Sequence, residues 1–157
     1  MRLLPVLLTA GVLGACDQSG TGERPVDSTA PTDTIVELPL QRGFYVMSDT
    51  SCGEASNATL LLVHRSGINW VRSACEFESI RQAGAESYRA ALACKDIQSG
   101  EIQSSTYHFE IPDATQFSYG TEDSDYRSHF RYCQQSSLPD PWRDNDISEL
   151  VGEGVEP

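Results

Sequence analysis

Cys75-Glu76-Phe77-Glu78-Ser79-Ile80-Arg81-Gln82-Ala83-Gly84-Ala85-Glu86-Ser87-Tyr88-Arg89-Ala90-Ala91-Leu92-Ala93-Cys94 supports two structures, and the choice between them decides the fold class. Phe77, Ile80, Gly84 and Tyr88 stand near helical spacing, whereas Tyr88, Ala90, Leu92 and Cys94 alternate as one face of a strand. Gly84 weighs against the helix, in whose interior glycine is about 1 kcal/mol worse than alanine. Within Ala83-Gly84-Ala85 the same glycine suits a turn between strands. The stretch therefore predicts a β-hairpin in which Cys75 to Arg81 pairs back with Tyr88 to Cys94.

Patterns on either side agree with it. Gly43-Phe44-Tyr45-Val46-Met47 reads as a first strand, Thr59-Leu60-Leu61-Leu62-Val63-His64 as a second with a buried apolar run, and Ser66-Gly67 turns it into Ile68-Asn69-Trp70-Val71. After the hairpin, Tyr107, Phe109 and Ile111 alternate with His108 and Glu110 until Pro112-Asp113 stops the strand. Phe117 with Tyr119, then Phe130 with Tyr132, predict two more around an acidic turn. Ser51 to Ala58 is the best place for a short helical turn. About seven or eight short strands at this spacing predict a mainly β fold, a single small antiparallel β-barrel or sandwich over residues 38–145.

The amino terminus is of another kind. Arg2 gives a positive start, Leu3 to Val12 is apolar, and Leu13-Gly14-Ala15-Cys16 ends the run with two small residues before a cysteine. A spanning helix needs about 20 apolar residues, and this run is shorter and is interrupted by Pro5 and Thr9. It resembles the signal peptide and lipobox of a bacterial lipoprotein. The resemblance implies cleavage of residues 1–15 and lipid attachment at Cys16, with acyl chains such as palmitate holding the chain on a membrane of the cell envelope, facing the periplasm. The alternative is a plain secretory signal in which Cys16 is incidental. Residues 16–37 are rich in Ser, Thr, Gly, Pro and acidic side chains and read as a flexible tether, about 25 Å long on average. Asp17 looks like the inner-membrane retention residue of enteric lipoproteins, a rule that varies between bacterial groups and so leaves the choice of inner or outer membrane open.

An exported chain is expected to use its cysteines in pairs. With Cys16 set aside, Cys52, Cys75, Cys94 and Cys133 make two disulfides with three connectivities. The expected pairing is Cys52 with Cys75 and Cys94 with Cys133, since Cys75 and Cys94 fall opposite each other in the hairpin and directly cross-strand disulfides are less usual. No C-x-x-C pair is present, which argues against a zinc knuckle or a thioredoxin-like centre.

Beyond Tyr132 the pattern breaks. The prolines of Leu138-Pro139-Asp140-Pro141-Trp142 exclude a central strand, and Trp142 is expected to pack over one end of the sheet before the chain leaves. Residues 146–157 read as an acidic tail, with Ile147, Leu150 and Val151 at one-turn spacing. The 23 acidic against 11 basic residues give a formal net charge of −12. Such a surface does not suit nucleic acid or anionic headgroups, because phosphate binding needs basic residues. A basic protein of the envelope is the more suitable partner.

No specific catalytic constellation stands out. His108 with His129 could meet across a sheet to bind zinc, but no third ligand accompanies them at a recognisable spacing, and His64 lies at a strand end. No G-x-S-x-G elbow is present, and Ser66 and Ser118, the nearest nucleophile candidates, are better explained by turn and strand chemistry. Glu122, Asp123 and Asp125 share one predicted turn and could hold calcium. Asp144, Asp146 and Ser148 imitate the start of an EF-hand loop, with Glu149 where glycine is required. Asn57-Ala58-Thr59 matches a glycosylation sequon only formally. Neither a metal nor another cofactor is expected.

Residues Gly43 to Cys133, notably Ser56-Asn57-Ala58-Thr59-Leu60 and the cysteine order, resemble small exported lipoproteins of proteobacteria, which implies a compartment and no activity. The lipid-anchored periplasmic lysozyme inhibitors are similar in size and class; of their inhibitory loop motifs only the fragments Ser87-Tyr88 and Ser118-Tyr119-Gly120 are present. The expectation is therefore a lipid-anchored envelope protein with a non-catalytic binding or structural β domain. The alternatives are an inhibitor of lysozyme or another basic hydrolase, and a hydrolase with an unrecognised site.

Overall fold

The computed structural model describes residues 34–152, so Cys16, the expected signal peptide, most of the expected tether and the last five residues lie outside it. The described chain forms strands β1 (Thr34–Ile35), β2 (Gly43–Met47), β3 (Leu60–His64), β4 (Gly67–Trp70), β5 (Ser73–Gln82), β6 (Ser87–Asp96), β7 (Ile102–Asp113), β8 (Gln116–Thr121) and β9 (Ser128–Cys133), followed by one helical turn, α1 (Ser148–Val151). Strands β2 to β9 follow one another antiparallel, and β9 pairs back with β2 through Phe44↔Cys133 and Met47↔Phe130. The result is a closed eight-stranded up-and-down barrel. Closure removes the free sheet edges that would otherwise invite association.

Alternation explains the barrel's inside. Tyr45, Leu61, Val63, Ile68, Ile80, Ala90, Leu92, Phe109, Phe117 and Phe130 form one interior core. Rings run through it: Phe117 stacks on Phe130 with centroids 5.4 Å apart, and Phe109 stacks on Tyr119 at the same distance. The hairpin β5–β6 forms as expected, with Phe77↔Leu92 and Ile80↔Ala90 in register across a bulge at Glu78. That extra residue turns both Phe77 and Ile80 inward although they are three apart, which is why the sequence imitates a helix there. Gly67 opens β4 where a side chain would collide with the Cys75 carbonyl, so only glycine lets β4 lie this close to β5.

Strands β2 and β3 are buried on both faces, as their continuous apolar runs require. Their outward residues Phe44, Val46, Leu60 and Leu62 make a second core with Ala55, Cys133, Leu138 and Val151. The cover is the C-terminal segment, held by Gln135 Nε2 donating to the Trp142 and Asn145 carbonyls at 2.8 and 2.6 Å. Trp142 thus packs on the outer wall and not over an end of the sheet, because the doubly apolar strands leave a larger surface there. The acidic tail expected from residue 146 also begins too early: Val151 is 5% exposed, and its carbonyl accepts from Arg42 Nη1 at 2.9 Å.

Three further expectations are corrected. The disulfides are Cys52–Cys133 and Cys75–Cys94. Register places Cys75 and Cys94 directly opposite on the interior face with Cα atoms 3.9 Å apart, while barrel closure, invisible in any single hairpin, brings Cys133 to the loop after β2. Residues 34–37, expected to belong to a tether, are part of the fold, since Thr34 and Ile35 pair with Arg81 and Ile80. Pro112 does not end β7: the strand passes it at a bulge and pairs Asp113 with Gln116, a place where no ladder amide is needed.

Candidate functional site

In an up-and-down barrel the connections alternate between two ends, and here the ends differ. One receives the β3–β4, β5–β6 and β7–β8 turns and is sealed by residues 34–42. Leu38 and Leu40 enter the interior core from below. The Gln41 amide donates to the Ala114 carbonyl at 2.7 Å, and the Tyr45 hydroxyl lies 2.8 Å from the carbonyl oxygens of both Gln41 and Ala114. Within the plug Arg42 makes a two-pronged pair with Glu37 at 2.7 and 2.8 Å, and its Nη1 ties the plug to the C-terminal cover through the Val151 carbonyl.

The other end is open. The inward face of β7 runs Phe109, Tyr107, Ser105, Gln103, then Glu101 in the adjoining turn, and the facing positions of β6 run Tyr88, Ala90, Leu92, Cys94, then Asp96. Apolar side chains at mid-barrel give way to polar ones at the rim. Between them lies a cavity of about 350 Å³ bounded by Trp70, Tyr107, Tyr119, the Cys75–Cys94 bridge, Asp96 and Glu101. The rings form its inner wall, Trp70 against Phe130 edge-on at 5.4 Å and Tyr107 beside Tyr119 at 5.7 Å. Burial, with Tyr107 adjacent, pushes the Tyr119 hydroxyl far above the ordinary phenol range, so it stays protonated.

Asp96 shapes the rim. Its Oδ1 accepts from the Ser99 amide at 2.8 Å, the Gln98 amide at 2.9 Å and the Ser99 hydroxyl at 3.2 Å. The Ser99 amide foremost, against a smaller opposing effect of burial, holds its carboxyl below the usual range. Arg72 lies 3.7 Å from Oδ2 and donates to Gln98 Oε1 at 2.7 Å, which fastens the β6–β7 turn to the β4–β5 turn. Val71, Ile97, Ile102 and Tyr126 are exposed on or beside the connections of this end, making an apolar fringe outside an acidic, aromatic mouth.

The residues singled out from sequence fall elsewhere. His108 and His129 lie on the outer wall with β8 between them, opposite Gly120 and Ser118 respectively, and His108 Nε2 is 3.1 Å from Glu110 Oε1. Ser66 does reach His64, its hydroxyl 3.3 Å from Nδ1, while Nε2 is 3.2 Å from Asn69 Oδ1. His64 is only 7% exposed, and the three groups clasp the β3–β4 turn. Burial lowers its pKa against the opposing pull of Asn69 and Glu76. Glu122 pairs with Arg89 at 3.2 Å. Asp146 Oδ1 accepts from the Ser148 amide and hydroxyl at 3.0 and 2.7 Å, which opens α1. Among the described residues no group of three or more side chains is gathered to hold a metal ion. Ser87-Tyr88 and Ser118-Tyr119-Gly120 lie within β6 and β8, not in loops. Trp70, Tyr107 and Glu101 were not singled out from sequence, and Tyr119 was noted only within a motif fragment; the signal for Tyr107 and Glu101 is the inward face of β7, which turns from aromatic to polar along one strand.

Fold and mouth together define a closed eight-stranded barrel with one sealed and one open end. Compared with family models, curated proteins and solved structures, the chain matches none of them.

Proposed function

We propose that this protein is a non-catalytic binding module of the bacterial cell envelope, held on a membrane by lipid at Cys16, with the open mouth of its barrel as the binding end. The supporting observation is the aromatic cavity of about 350 Å³ at the unsealed end, within the size range of ordinary ligand pockets, about 300–1,000 Å³. Polarity gives the anchoring a direction. The chain enters the barrel at Thr34, which pairs with Arg81 at the sealed end, so a lipid on Cys16 would attach on the side of the sealed end and leave the mouth unobstructed. Two disulfides suit an oxidising compartment.

Two measurements test this on the full-length chain expressed in a bacterium. Labelled palmitate should enter the protein and be lost in Cys16→Ser, which should also leave the membrane fraction. Envelope components retained by the wild type should be lost with Trp70→Ala or Tyr107→Ala and kept with the outer-wall variant Glu78→Gln. A Cys16→Ser protein that remains labelled and membrane-bound would overturn the anchoring, and equal retention by mouth and wall variants would overturn the binding end.

A further inference from the structure

Building on the mouth as the binding end, we propose that it takes a small organic cation, an ammonium-type group carried on an aryl or alkyl body. The charged side chains that bound the cavity are both carboxylates, Asp96 and Glu101. Behind them stand the rings of Trp70, Tyr107 and Tyr119, whose negative faces attract a cation and whose carbon surface takes up its apolar body. The two carboxylates have different duties. Asp96 Oδ1 is saturated by the turn it organises. Glu101 is exposed at the rim, where Gln103 Nε2 donates to it at 3.3 Å, leaving acceptor capacity for a ligand.

The surroundings carry the same sign. The connections at this end add Asp49, Asp123 and Asp125 to Glu101, while Glu54 lies with the Cys52–Cys133 segment on the outer wall and Glu122 is paired with Arg89; the guanidinium groups of these connections are those of Arg72 and Arg127. Both guanidinium groups are occupied: Arg72 with Gln98 and Asp96, Arg127 with the carbonyls of Ser124 and Tyr126. Carboxylates gathered around a low-dielectric opening focus negative potential into it. An anion is repelled from such a mouth, a neutral molecule gains apolar burial alone, and a cation gains both contributions.

The test uses the full-length oxidised protein and three soluble probes of one shape: phenethylammonium, 2-phenylethanol and 3-phenylpropionate. Each is titrated while the amide resonances of Trp70, Gln103 and Tyr119 and the indole of Trp70 are followed by NMR, at low and moderate salt. The ammonium should bind at these residues at least tenfold more tightly than the alcohol, with the advantage shrinking as salt rises, and the carboxylate should leave them unmoved. Glu101→Gln should reduce the ammonium's affinity severalfold while leaving the alcohol's affinity and the melting temperature unchanged. Equal affinity for ammonium and alcohol would overturn the cation and leave the mouth as binding end. A folded protein whose mouth resonances respond to none of the three would overturn both, and an ammonium that shifts only outer-wall residues would overturn the cation site.

Discussion

The two ends of the barrel are built from the same alternating strands and differ in the side chains that the alternation turns inward. At the sealed end the interior core is built of apolar and aromatic side chains, and a separate segment, residues 34–42, supplies Leu38 and Leu40 to fill the space the strands leave open. At the mouth the inward positions become polar, and among the described residues no segment enters. A barrel of eight strands can pack its interior solid, so a cavity at one end is a feature of side-chain choice and not of strand number. Stability should therefore be concentrated in the sealed half and the outer wall, while substitutions at the mouth should leave the fold intact.

Removing the disulfides is the strongest way to break that contrast. Cys52–Cys133 closes 81 residues and Cys75–Cys94 closes 19. By loop-closure entropy alone the first stabilises by about 4.5 kcal/mol and the second by about 3 kcal/mol. Paired serine replacements, measured by denaturant unfolding, should follow that order, with the wall bridge the more damaging loss. Next in size, Leu38→Ala should cost about 3 kcal/mol by leaving a hole under the interior core, whereas Val71→Ala, at an exposed position on the rim, should change stability by less than about 0.5 kcal/mol. Equal losses would mean that the plug does not carry the sealed end.

The same substitution placed at each end gives a finer comparison. Tyr45→Phe removes a fully buried hydroxyl that serves the carbonyls of Gln41 and Ala114, and should cost about 1–2 kcal/mol. Tyr107→Phe, at the cavity wall, should cost less than about 0.5 kcal/mol. Thermal melts of the two single variants and the double variant decide it, and the two changes should add because the sites share no partner.

Much of this architecture was legible in the sequence because a meander of antiparallel strands needs only period-two alternation and turn residues, both of which are local, whereas its closure into a barrel is not. The apolar run Gly43–Met47 coincides with β2, and Gly84 marks the turn of the β5–β6 hairpin. The failures were non-local. The pairing of the cysteines depended on β9 returning to β2, and no local pattern encodes that contact. The bulge at Glu78 disguised Phe77 and Ile80 as a helical face. The plug is hard to read because Leu38 and Leu40 lie in a short run, Ile35-Val36-Glu37-Leu38-Pro39-Leu40, without clear strand or helix periodicity, and the aromatic mouth because Trp70, Tyr107 and Tyr119 come from three strands and look like ordinary core in each.

Acid should separate the ends by the smallest of these effects. His64 closes β3 at the sealed end, where burial keeps its imidazole neutral more strongly than Asn69 and Glu76 favour the charged form. The unfolded chain regains an ordinary histidine pKa of about 6.5, so below that pH it binds a proton that the fold resists. The contribution of a neutral His64 is complete above about pH 6.5 and is lost as pH falls toward the depressed value of the folded state. Asp96 at the mouth moves the same way but in a separate, lower window: its carboxyl is held below the usual range by the Ser99 and Gln98 amides, so its contribution persists until pH falls below the ordinary carboxylate range. Unfolding free energies measured between about pH 7.5 and 5.5 should therefore decline in the wild type and decline less in His64→Gln, while Asp96→Asn leaves the slope over this interval unchanged. A His64→Gln protein with the wild-type slope would remove the histidine clasp from the account of the sealed end.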